Sequence, residues 1–396
     1  MTNMTSYAPA FASPTGGDTT GAVRTLAAGR LQSTRKRIVN ALAESGRREE
    51  TAQAAQAFVA GKGSAWRPET GLALLAHRRG QHGLAALQFA AACAGMGGSG
   101  RVDTLLETAH WLYMDGWLTP VHGQTSLSAD GVSIAIHSDY GSTTYRSSEQ
   151  NRWSPAEVQG PWTALPSGGL APRYVTVSGL RHSVEGFPWI ADAPPQIANN
   201  GTASARLDVE NASRRITSIQ QGWNVIINQT PIYGAWVAST SAGCLLIEPS
   251  GSPLAQSGSS YDHPGLIAIE PPESPVFCGE ILVHECSHQQ LLIYGMVAPL
   301  VTPGSQEQYF SPIKRATRPI DRVLTGAHAV GNMIIYYATL RQSMDLDSLS
   351  VDRFHQHRKW FAEDYRPALD RSQSLTEAGR TLWASLCSAV DSATEQ

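Results

Sequence analysis

The chain has 396 residues, 42% hydrophobic and 16% charged, with a formal net charge of -3. That length exceeds what one hydrophobic core usually serves, so two or three sub-regions are expected. The absence of a basic block argues against a nucleic-acid partner, and no apolar run approaches the ~20 residues that span a bilayer, which argues against a membrane one.

The first twenty residues are rich in Thr, Ser, Gly, Ala and Pro and lack a basic start and an apolar core. They are expected to be a disordered tail (1–20), not a signal peptide. Residues 21–116 carry a helical pattern. Val23, Leu26, Leu31, Ile38 and Leu42 recur at helical intervals before Gly46, Pro68 opens a second helix, and Val102 to Met114 is expected to be a third.

From residue 117 to 206 the chain is rich in Gly, Pro, Ser and Thr. Short β-like runs at Val132–Ile136 and Tyr174–Val177 predict a sheet layer with long loops. Asn211 to Ile227 has helical spacing, with Gly222 against it. Residues 243–248 and 265–270 are expected to be strands. The fold class is α+β: an N-terminal helical region, a central sheet-like region with long loops, and C-terminal helices carrying a metal site. The catalytic region is placed at 117–396. The cysteines, Cys93, Cys244, Cys278, Cys286 and Cys387, are odd in number and scattered, which points to free thiols in a reducing cytoplasm.

The most informative stretch is His284-Glu285-Cys286-Ser287-His288, an H-E-x-x-H pattern within a helix expected at 280–294. On a helix the two histidines lie about 40° apart and one turn removed, so both nitrogens can reach one metal ion. The flanking Ile281, Leu282, Leu291, Leu292 and Ile293 suit a buried helix rather than a surface one bearing two idle histidines.

A third protein ligand is needed. The next long helix, Asp321 to Gln342, contains no Glu. Its metal-capable side chains are His328, the preferred ligand, and Asp321, the alternative. A satisfied core histidine is the plainer reading of His328. A carboxylate would give the two-His-one-carboxylate set of non-haem iron enzymes. His263 ranks below His328. In a zinc peptidase, Glu285 would be the general base.

Taken together, His284-Glu285-Cys286-Ser287-His288, Pro299-Leu300, Ser311-Pro312 with basic residues after it, Arg318-Pro319 and Gly326-Ala327-His328-Ala329 resemble the 2-oxoglutarate-dependent HExxH-type peptide β-hydroxylases of ribosomal peptide natural-product pathways. The resemblance covers roughly residues 259–337. It implies Fe(II), 2-oxoglutarate and O2, with hydroxylation at a side-chain β-carbon of a peptide or amino-acid substrate, a ribosomal precursor peptide among them. It also implies Arg318 as the cation for the distal carboxylate of 2-oxoglutarate, with Lys314 and Arg315 assisting, since arginine matches carboxylates in planar, bidentate fashion. Glu285 would then stand beside the metal without acting as a base. The chain departs from the family pattern at Ile313-Lys314 and at Thr325-Gly326, and the second departure leaves the third ligand open. Ser259, Ser260 and Asp262, in a turn-rich loop, are candidates for substrate contact or for turn capping. The alternative reading is a zinc metallopeptidase, and a third is a metal-free peptide-binding protein.

Overall fold

The computed structural model describes residues 4–46, 65–115, 117–147, 153–159, 189–192, 209–246 and 255–395. Residues 8–13, expected within a disordered tail, are instead packed. A 3₁₀ turn over Met4–Tyr7 leads into α1 (Ala8–Ala12). Ala8, Phe11 and Ala12 are fully buried, and Phe11 stacks on Tyr294 with ring centroids 5.3 Å apart. Composition describes how a segment behaves alone; here a single aromatic anchor and small neighbours find a cavity in the rest of the chain.

Helix α2 (Thr19–Glu44) starts at Asp18, whose carboxylate accepts the Gly21 N–H at 2.9 Å, an ordinary N-cap. Helices α3 (Pro68–Arg78) and α4 (His82–Gly95) follow. The helix expected over Val102–Met114 is a strand, β1 (Ser99–Met114), paired with β2 (Trp117–Asp130). Val102, Thr104 and Leu106 are buried, whereas Leu105 is 49% exposed. That period of two suits one face of an antiparallel sheet, and it overrides the apparent helical spacing. β3 (Ser133–Ser138), β4 (Gly141–Ser147) and β5 (Trp153–Gln159) complete a five-stranded antiparallel meander in sequence order. The strand expected at Tyr174–Val177 lies outside the described residues.

A second sheet supports the candidate site. β6 (Trp189–Asp192), β7 (Gly243–Leu246) and β9 (His263–Ile269) run parallel, and β8 (Ser257–Ser260) adds to β9 antiparallel. Every residue of β9 is buried, as a parallel strand covered on both faces requires. Between β6 and β7 come α5 (Val209–Gln229) and α6 (Pro231–Thr240). Gly222, which counted against a helix in sequence, sits inside α5 for a packing reason: a Cβ there would lie 2.8 Å from the Cβ of Cys278.

Helix α7 (Pro275–Gly295) carries the two histidines. Ser274 caps it by accepting the Phe277 N–H at 3.3 Å, and Pro275 supplies the preformed first turn. Apolar side chains occupy most of its circumference because α5, α6, the sheet and the next long helix all pack on it. A β10 (Gln308–Ser311)–β11 (Ala316–Pro319) hairpin leads into α8 (Ile320–Ser343). Then come α9 (Ser348–Trp360), a π-turn over Phe361–Tyr365, α10 (Arg366–Arg371) and α11 (Glu377–Glu395). The architecture is therefore mixed, with helices at both ends and sheets between them. Among the described residues, no helix is long and apolar enough to cross a membrane.

Candidate metal centre

His284 and His288 meet as the helical spacing predicts. Their Nε2 atoms are 3.0 Å apart, and the rings cross at 81° with centroids 4.5 Å apart. Such a pair is either one N–H···N hydrogen bond or two lone pairs turned toward one cation. Burial lowers His284 to about 4, Glu280 opposes the shift, and His357, Lys314 and Arg353 add to it. Burial likewise lowers His288 to about 3, with His284 and Lys314 adding to the effect. Both imidazoles are thus neutral near pH 7, the form that ligates metals.

Glu285 joins them. Its Oε1 lies 3.8 Å from His284 Nε2 and accepts the Ser257 hydroxyl at 2.6 Å. Its Oε2 is buried without a donor, and Nδ1 of His288 is buried without a partner. Among the described residues, His284, Glu285 and His288 form the metal-capable group, with ligand atoms within 4.8 Å of one another. An imidazole pair beside an unsatisfied carboxylate oxygen is the donor set that a divalent transition metal takes.

The preferred third ligand does not join the group. His328 is fully buried on α8, and its Nε2 lies 2.8 Å from the carbonyl oxygen of Phe11. Its Nε2 is held by the N-terminal segment, while its Nδ1 is buried without a hydrogen-bond partner. Asn332, one turn on, donates to the next carbonyl, that of Ala12, at 3.0 Å. Asp321 also stays apart: its side chain is 58% exposed beside Arg322.

The β10–β11 hairpin carries the cations. Arg318 is half-buried on β11 opposite Tyr309, and Lys314 and Arg315 are exposed at the turn, with Arg315 at φ 48°. Of the three, Lys314 acts on both histidines. The loop candidates divide. Asp262 pairs with Arg78, and the Ser260 hydroxyl accepts the Asp262 N–H at 3.2 Å, the turn-capping role. Ser259 Oγ is buried without a partner, and so are both ring nitrogens of His263.

Sequence reasoning missed a second polar cluster one turn before His284. Glu280, 2% exposed, accepts hydrogen bonds from Arg353 Nε and Nη2, from His357 Nε2 at 3.0 Å and from Tyr337 Oη at 2.5 Å. Burial alone would raise its pKa, but His357 and Arg353 outweigh burial and hold the carboxyl well below the usual range. The signal was present in the i, i+4 pair Arg353–His357 and in Glu280 four residues before His284. Ser257, which orients Glu285, had no such signal.

Comparison with known proteins adds no relative to this geometry: no protein family and no curated protein matches the chain.

Proposed function

We propose that the chain is an Fe(II)- and 2-oxoglutarate-dependent oxygenase that hydroxylates a side-chain β-carbon of a peptide or amino-acid substrate. The observation that carries this reading is the 3.0 Å separation of the two Nε2 atoms. Two neutral, buried nitrogens this close together can face one divalent ion, and a two-histidine set leaves positions open for a chelating co-substrate. Iron bound there with 2-oxoglutarate would supply the oxidising power to place one atom of O2 on a C–H bond, the co-substrate leaving as succinate and CO2. His284 and His288 would hold the ion, the Glu285 carboxylate would stand beside it, and Lys314 would bring positive charge toward an anionic co-substrate. The sequence resemblance supplies the reaction type and the peptide substrate.

The zinc peptidase reading keeps one specific observation. Glu285 is buried beside His284 with a free carboxylate oxygen, which is where a base for a metal-bound water would stand.

One experiment separates the two. Protein reconstituted anaerobically with Fe(II), then given O2, 2-oxoglutarate and candidate peptides, should release succinate and add one oxygen atom to the peptide. His284→Ala and His288→Ala should each lose tight iron binding, as measured by metal analysis of the folded variants. Full iron retention in either variant would remove the site. Zinc-dependent peptide cleavage that ignores 2-oxoglutarate and disappears in Glu285→Gln would establish the peptidase instead.

A further inference from the structure

Arg30, on α2, takes no part in the site described above. It is 8% exposed, and its guanidinium carbon lies over the Trp66 and Tyr261 rings, 5.0 Å from each centroid. Nη2 reaches the Tyr261 carbonyl at 3.4 Å, a long contact. Nε and Nη1 are buried with no acceptor. Both aromatic rings lie within cation–π reach of the charge, yet they take none of the in-plane N–H groups. Burial lowers the Arg30 pKa to about 10, with Tyr261 and Asp262 opposing the shift. Asp262, the carboxylate in electrostatic reach, is itself engaged by Arg78 at the surface. Buried cations without acceptors are costly, and in native proteins such groups ordinarily have a partner.

The surroundings tie this cation to the metal helix. Trp66 Nε1 donates to Gln289 Oε1 at 3.0 Å, and the same oxygen accepts the Gly265 N–H at 2.9 Å. Gln289 directly follows His288. The β8–β9 hairpin spans the two places: Ser257 holds Glu285, and Tyr261 at the turn covers Arg30. Between and beside them, Ser259 Oγ and both ring nitrogens of His263 are buried and open. Tyr261 is 43% exposed, so the ring covering one face of the guanidinium borders solvent.

We propose that Arg30, walled by Trp66 and Tyr261 beneath the β8–β9 turn, is a binding site for a carboxylate. A guanidinium donates to a planar carboxylate through adjacent N–H groups. One uncommitted cation suits a single carboxylate better than a phosphate dianion, because the neighbouring Arg78 is already paired. The carboxylate belongs either to a free dicarboxylic acid or to an acidic side chain of a polypeptide.

Calorimetric titration of the full chain without added metal tests this. The probes are glutarate and 2-oxoglutarate for the free acid, an acetylated hexaglutamate peptide for the polypeptide, and glutaramide as the uncharged control. At least one carboxylate probe should bind while glutaramide does not, and the probe that binds identifies the source. Affinity should fall about 10- to 100-fold in Arg30→Met, the loss expected when a charged hydrogen-bond partner is removed. Arg30→Lys should lie between, since it keeps the charge and loses the planar donors. Thermal melts without ligand should show Arg30→Met as stable as the parent, because its open donors disappear with the group.

The site is overturned if no carboxylate probe binds the parent chain, or if affinity is unchanged in Arg30→Met. Unfolding of Arg30→Met together with unchanged affinity in Arg30→Lys also overturns it, by making the guanidinium a packing element. The titration uses no iron and reads no turnover, so failure of the oxygenase reading leaves its result standing.

Discussion

Glu280 and Glu285 stand on the same helix, each only 2% exposed, in opposite surroundings. Glu280 is met by Arg353, His357 and Tyr337, so both of its oxygens are occupied. Glu285 has one donor, Ser257, and one bare oxygen. The Glu280 network ties α7 to α8 and α9 and leaves neither carboxylate oxygen bare, although His357 Nδ1 is buried without a partner. An open carboxylate, five residues along and beside two neutral imidazoles, is where a ligand can be accommodated. The difference teaches that burial of a carboxylate alone does not mark a site; the unfilled hydrogen-bonding capacity does.

The largest effect should come from breaking the Glu280 side. Glu280→Ala strips the partner from Arg353 and His357, whose side chains are 21% and 4% exposed. Removing one member of a buried ion pair costs about 3–5 kcal/mol, readable in urea unfolding. A loss below about 1 kcal/mol would show that solvent reaches the network.

A smaller effect is expected at His328, the candidate ligand that lies apart from the histidine pair. His328→Ala leaves the Phe11 carbonyl without its partner and should cost about 1–3 kcal/mol while iron binding persists. Its pH dependence has a fixed sign. Burial lowers His328 from 6.5 to about 4, and backbone carbonyls, that of Phe11 first, oppose the shift. The folded chain therefore favours the neutral ring. That contribution is complete above 6.5 and is lost as pH falls toward 4. The gap in stability between parent and variant should be widest near neutrality and shrink on acidification through that window. Loss of iron in a folded His328→Ala variant would return His328 to the ligand set.

These outcomes bear on what the sequence carries. The metal helix was legible because its signals are local: the i, i+4 histidines, the apolar flanks and Gly295 at its end. Helix α8 was legible for the same reason. β1 was misread because adjacent Leu105 and Leu106 satisfy a helical window, although only Leu106 is buried. The core role of His328 was one of the readings open from sequence, but its partner was out of reach. Its burial follows from the apolar face of α8, but its partner lies 317 positions away in a segment whose composition suggests disorder. The Glu280 network spans three helices, and only pairing across them gives its members meaning. Arg30 is invisible for the same reason, since its walls come from Trp66 and Tyr261.

The smallest effect separates the two glutamates most sharply. Glu285→Met removes a carboxylate that holds one hydrogen bond and one bare, buried oxygen. The lost Ser257 bond is worth about 1 kcal/mol, and the desolvation cost of the bare oxygen, of similar size, disappears with it. Methionine fills a similar volume and bends to fit. In the metal-free protein the net change should lie within about 1 kcal/mol of zero, on either side, against the several lost in Glu280→Ala. Parallel urea curves for the two variants make the comparison. If Glu285→Met destabilises the metal-free chain as much as Glu280→Ala does, then Glu285 is a structural anchor like its neighbour. The open donor set would then lose its carboxylate, leaving the two histidines alone to argue for the metal.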